Sequence, residues 1–154
     1  DSDILTWYFA VGVNEAFLLH LSEVRLAFEP QAAALAARHA TEADISQMMR
    51  LAVAMGDPEH TAETLAMADL KFHLSVLEAS RNPFLRTLGI LIEAGLVGAF
   101  KLSSPAADRG KIGDVAANHM RIVEEIRRRD EDGARRAMEN VIRVGRARMT
   151  DGRA

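Results

Sequence analysis

Apolar positions along the chain recur at three- and four-residue intervals, and no run of alternating β-branched residues interrupts them. That periodicity predicts helices from end to end. A short first helix is expected over Asp3 to Ala10 and a second from about Asn14 to His39. Pro30 should kink or divide the second, because proline has no N–H to donate. Thr41-Glu42-Ala43-Asp44 has the form of a capping box opening a third helix. Gly56-Asp57-Pro58 is a break, and a fourth helix follows from about Glu59 to Ser80. Asn82-Pro83 reads as an N-cap with proline at the first helical position. The helix it opens, Pro83 to about Leu102, is apolar nearly all round, as a buried central helix would be. Ser103 to Gly113 reads as the one long loop. A sixth helix is expected over Asp114 to Arg129. The last starts at Asp130-Glu131-Asp132 and runs to about Met149, leaving Thr150 to Ala154 as a frayed tail. The expected fold is all-α: an antiparallel bundle of about six to seven helices, one domain over residues 1–154.

Composition narrows the function classes. The chain has 154 residues, 49% of them hydrophobic and 27% charged, enough to bury a sizeable core without staples. It has no cysteine, which excludes disulfides, thiolate metal sites and cysteine nucleophiles together. The net charge of −3 is not the electrostatic footprint of a nucleic-acid-binding domain. No membrane association is expected: the longest apolar stretch is interrupted by Arg86, Thr87, Glu93 and Lys101. Asp1-Ser2-Asp3 lacks the basic start of a secretory signal and an initiator methionine, so a fragment or processed product of a cytoplasmic protein is expected.

Candidate chemistry comes from polar residues on apolar faces. On the fourth helix Lys71, Ser75 and Glu78 mark the wet side, and Leu65, Phe72, Val76 and Leu77 the dry one. Asp69 and His73 fall within the dry side, one helical turn apart. A buried carboxylate needs a cation, and a metal ion held by Asp and His at this spacing would serve. His119 sits at the centre of the stripe Val115, Ile122, Val123, Ile126. Asn140 lies near Ala137, Val144 and Ala147, whose small side chains leave room. Arg25 shares a face with Leu18, Leu21, Phe28 and Ala32, and a core-facing guanidinium wants a carboxylate, either the protein's or a ligand's. Each has a plainer reading: His119 a hydrogen-bonded core residue, Asp69 and His73 a buried polar pair, Arg25 a partner of Glu29. His20, His39, His60 and the run Arg127-Arg128-Arg129 are read as peripheral and solvated.

These residues, in their order, resemble the C-terminal effector domain (FCD domain) of the FadR-like branch of GntR transcription regulators. The resemblance runs from about Leu21 to Met149. It rests on Glu23-Val24-Arg25 with Glu29 and the alanine-rich Ala32 to Arg38. Further along it rests on Asp69-Leu70-Lys71-Phe72-His73, Ala79-Ser80-Arg81-Asn82-Pro83, His119-Met120-Arg121-Ile122, and Asp132-Gly133-Ala134 with Ala137-Met138. It implies a dimeric helical bundle with a metal ion, often zinc, held by one Asp and three His. Asp69, His73 and His119 match three of these positions; the fourth falls on Asn140, a poorer ligand. Asp3-Ile4-Leu5-Thr6-Trp7 is similar to the linker of members that sense sugar acids such as galactonate, gluconate or keto-deoxy acids. The resemblance therefore implies a small organic acid effector, oriented by Arg25 and Asn140. It implies a homodimer, and contact with operator DNA only through a winged helix-turn-helix domain absent from this chain. No catalysis is expected. Two alternatives stay open: a metal-dependent helical hydrolase, disfavoured by the lack of an H-E-x-x-H motif, and a purely structural dimerisation module.

Overall fold

A computed structural model describes residues 15–103, 106 and 108–151. The helix expected at Asp3 to Ala10 and the sugar-acid linker motif lie outside the described residues, as do the last residues of the expected tail. Six helices occur among the described residues, and no strand: α1 Glu15–His39, α2 Glu42–Ala54, α3 Ala62–Ala79, α4 Pro83–Ser103, α5 Arg109–Arg127 and α6 Glu131–Asp151. This is the expected all-α bundle.

The helix starts are set by local chemistry. Thr41 Oγ1 accepts from Asp44 N (3.1 Å), and Asp44 returns a carboxylate to Thr41 N (2.8 Å), closing the capping box of α2. Thr61 and Thr64 do the same for α3, which starts later than Glu59. Asn82 Oδ1 accepts from Phe84 N (3.0 Å), and Pro83 takes the first turn of α4, where its missing N–H costs nothing. Left-handed Arg81 (φ 58°) and Arg129 (φ 61°) end α3 and α5. The Arg129 guanidinium also donates to Ala40 O (2.7 Å), just past the end of α1, and so pins the α5–α6 turn there. Arg38 on α1 binds Glu131, at the start of α6, with two parallel hydrogen bonds. Arg127 and Arg128 pair with Glu124 and Glu125 on their own helix, so this basic run is a solvated face.

Four expectations are corrected. Pro30 does not divide its helix: α1 is continuous over 25 residues, with Pro30 buried inside it. Burial on both sides of the proline holds the helix together where one backbone hydrogen bond is missing. The loop expected at Ser103 to Gly113 is much shorter, because Asp108 Oδ1 accepts from Gly110 N (3.0 Å) and starts α5 at Arg109. Gly110 and Gly113 sit in the first turns of this capped helix. The end of α6 stays helical through Thr150 and Asp151 instead of fraying at Thr150. And α4 is not a buried central helix: Phe84 is 81% exposed, and Leu88, Ile90 and Leu91 are exposed too. It lies against α3 on one side, where Gly89 allows close approach: a Cβ there would be 2.4 Å from Leu77 Cδ1. Leu85 and Val97 pack inward, and Gly95 lies against Leu21 and Phe17 of α1.

The main core gathers Ala33, Ala36 and Ala37 of α1, Ile45 and Met48 of α2, Phe72 and Val76 of α3, Ile112, Val115, Ile122 and Ile126 of α5, and Met138 and Ile142 of α6. The alanines let α1 run close to α6. Substituting Ile122→Ala, at a fully buried position, should cost about 2–5 kcal/mol in urea unfolding, while Val53→Ala on the exposed side of α2 should stay within about 0.5 kcal/mol.

Candidate metal and effector site

The polar centre of the bundle is built by three helices. One turn of α3 presents Asp69 and His73 on the same face, and α5 presents His119 from the middle of its buried stripe. Asp69 Oδ1 lies 3.1 Å from His73 Nε2 and 3.0 Å from His119 Nε2. The two Nε2 atoms are 3.3 Å apart. One ligand-type atom from each residue thus falls within 4.8 Å of the others. His73 is fully buried and the Asp69 side chain keeps 13% exposure, so the cluster is reached from the Asp69 side. Phe72 meets both rings edge-on, with centroids 4.9 Å from His119 and 5.8 Å from His73, and is itself fully buried. It fixes the planes of the imidazoles and keeps water from their backs.

The outward-facing nitrogens settle the tautomers. His119 Nδ1 is 2.7 Å from Val115 O, and a carbonyl only accepts, so Nδ1 carries the proton. His73 Nδ1 is 2.5 Å from Glu29 Oε1 on α1. Glu29 is ionised: burial alone would raise its pKa, but Arg25 and His73 bring it down from 4.5 to about 2. His73 Nδ1 therefore donates as well. In the neutral rings both Nε2 atoms then carry lone pairs, aimed at each other and at Asp69 Oδ1. Three acceptors within 3.3 Å repel one another unless positive charge sits among them. The centre draws in such charge: although burial opposes it, Glu29 and Asp69 raise the pKa of His73. Asp69 is held ionised, its burial outweighed by the two histidines. Two imidazole nitrogens, each ring backed by a fixed partner, and a carboxylate oxygen fit a zinc-type ion well.

The structure separates the remaining sequence candidates. Arg25 is buried, and its Nε donates to Glu29, so it meets the cluster at one remove, through Glu29 and His73. The pairing read as its plainer alternative is present. Asn140 is not brought to the cluster: it is exposed, while Met138, Val141 and Ile142 take the buried face of α6. Of the small residues around Asn140, Ala147 is exposed and Val144 half-buried, while Ala137 packs against the core. Two participants were not singled out from the sequence. Glu29 was read only as a partner for Arg25, and its contact with His73, 44 positions away, has no local signal. Arg148 continues the α6 stripe of Met138 and Val141; burial lowers its pKa, partly offset by the nearby Asp69. The other histidines are peripheral. His60 bonds Thr64 and the Ala54 carbonyl, His20 faces Glu23, and His39 is exposed.

The bundle thus holds a charged, inward-facing Asp–His–His centre beside its apolar core. Residues 20–144 match the FCD domain, and the chain belongs to that family. It is 27% identical to the galactonate operon transcriptional repressor of Escherichia coli over 151 residues, covering 98% of this chain and 66% of the repressor. It is 27% identical to the transcriptional repressor NanR of Salmonella newport over 123 residues, 79% of this chain and 47% of NanR. The chain thus spans two thirds or less of the curated relatives it matches. A GntR protein of Streptococcus agalactiae shares the fold, with a TM-score of 0.70 at 23% identity over 86% of this chain and 58% of that one. The two curated relatives are transcriptional repressors. No helix among the described residues is long and apolar enough to cross a membrane.

The centre's titration gives a prediction for chelator-treated protein. Glu29 has a depressed folded pKa, so its contribution is present above 4.5 and lost as pH falls toward about 2. His73 has a raised one, so its contribution is present below 6.5 and lost as pH rises through the folded value. Melting temperature followed by circular dichroism should fall on both sides, and Glu29→Gln should flatten the acid limb.

Proposed function

We propose that this chain is the ligand-sensing domain of a cytoplasmic GntR-type transcription regulator. It binds a small organic acid beside a divalent metal ion and so controls a DNA-binding domain elsewhere in the protein. The observation that carries this reading is the convergence of Asp69 Oδ1 with two imidazole Nε2 atoms whose other nitrogens are already committed. Asp69, His73 and His119 would hold the ion, zinc by the chemistry of the donors. When bound, it would supply a Lewis-acidic centre for carboxylate and hydroxyl oxygens. With Asn140 on the outer face of α6, these three residues are the protein's contribution to the coordination sphere. They leave room in it for a ligand.

Charge balance supports an acid as that ligand. Around the centre two carboxylates, Glu29 and Asp69, stand against two guanidiniums, Arg25 and Arg148. The set is balanced without the ion, so a divalent cation leaves it positive and favours an anion. A sugar acid adds hydroxyls suited to the polar mouth at Asp69, and one relative is a galactonate operon repressor. An acid that bridges α3, α5 and α6 favours one arrangement of these helices. It shifts the attached DNA-binding domain only as far as it prefers that arrangement. The outward apolar row Phe84, Leu88 and Leu91, spaced at helical turns on α4, supports a homodimer through that helix.

Two measurements test this reading. In a thermal-shift series, galactonate or gluconate at about 100 times its dissociation constant should stabilise the zinc-loaded protein by about 2.7 kcal/mol. Chelator or His73→Ala should abolish the effect, and an equal shift with and without metal would refute the metal-linked site. In sedimentation, Phe84→Asp with Leu88→Asp should convert a dimer to a monomer with unchanged helicity; an unaltered dimer would place the interface elsewhere.

A further inference from the structure

Glu29 is an expensive residue for the position it holds. Its side chain is 1% exposed, and a carboxylate taken that far from water costs several kcal/mol unless strongly compensated. A pairing with Arg25 alone could be made at a helix surface, where desolvation is small. Instead α1 turns both residues inward. Glu29 then divides its two oxygens: Oε2 accepts from Arg25 Nε, and Oε1 accepts from His73 Nδ1 at 2.5 Å.

The two imidazoles are therefore unequal. His119 rests its Nδ1–H on a neutral backbone carbonyl, Val115 O, at 2.7 Å. His73 rests its own on a full negative charge. A charged acceptor pulls harder on the Nδ1 proton and pushes electron density toward Nε2, so His73 is the stronger donor of the two. It also fixes the ring plane from the side opposite Asp69, with Phe72 edge-on between them. Arg25 holds the carboxylate in place and keeps it from drawing in a second cation.

We infer that Glu29 is a positioning residue of the cation site, and that the metal-binding unit extends from α3 and α5 through His73 to the Arg25–Glu29 pair on α1. The inference rests on the metal reading given above. It assigns no direct contact between Glu29 and the ion.

The test uses the purified chain, stripped with chelator and titrated with Zn²⁺ against a chromophoric competitor, and with Co²⁺ by visible absorption. Glu29→Gln keeps the shape of the side chain and should weaken Zn²⁺ binding about 10–100-fold and shift the Co²⁺ bands. Glu29→Asp should recover part of the affinity. Because Glu29→Gln leaves Arg25 buried without its charge partner and can unfold the chain, the double variant Arg25→Met with Glu29→Gln removes both charges together. It should fold and show the same loss. A purely structural pair would change the melting temperature but leave the Co²⁺ spectrum and Zn²⁺ affinity as in the wild type. That result in either folded variant overturns the inference while leaving the metal reading intact. A wild-type chain that binds neither Co²⁺ nor Zn²⁺ overturns both.

Discussion

Three electron-rich atoms brought together in the bundle's interior are the constraint around which it is organised. His73 Nε2, His119 Nε2 and Asp69 Oδ1 sit 3.0–3.3 Å apart in a largely dry setting. An apolar core gains stability from contact itself, whereas this cluster gains it from positive charge placed among its acceptors, a proton on His73 included. Each helix contributes on those terms. The α3 turn supplies two of the atoms, α5 the third, and α1 the carboxylate behind one ring. Phe72, edge-on to both imidazoles, belongs both to the apolar core and to the wall of the site.

Around this centre the bundle is held by ordinary means. Alanines on α1 let α6 approach closely, and capping boxes define where α2 and α3 begin. Charged tethers join helix ends: Arg38 to Glu131, Arg81 to Asp44 at 2.5 Å, and Arg129 to the end of α1. The tethers are largely exposed and individually weak. They place helix ends; the core supplies the stability.

Much of this was legible in the sequence, and the reasons are local ones. Capping residues act within one turn, so Thr41 with Asp44 and Asn82 with Pro83 mark their helices directly. Asp69, His73 and His119 stood out because a polar group amid a buried stripe violates helical periodicity, and that violation survives folding. The misreadings came from effects that are not local. A loop was expected to run to Gly113, where the Asp108 cap had already started α5. The apolar surround of α4 suggested a central position, yet an outward apolar row has the same sequence as a buried one. Asn140 was placed by its small neighbours, and small neighbours occur on outer faces too. The contact of Glu29 with His73 spans 44 positions and depends on how α1 rolls against α3, which no spacing rule encodes.

Pro30 follows Glu29 directly and lies inside α1. Having no N–H, it leaves the Leu26 carbonyl without its donor one turn on. The backbone ladder is therefore thinnest at the residue that grips the His73 ring. Across that gap the helix is carried by its side chains: Glu29 on His73, and Phe28 and Ala32 packed with Leu77 of α3.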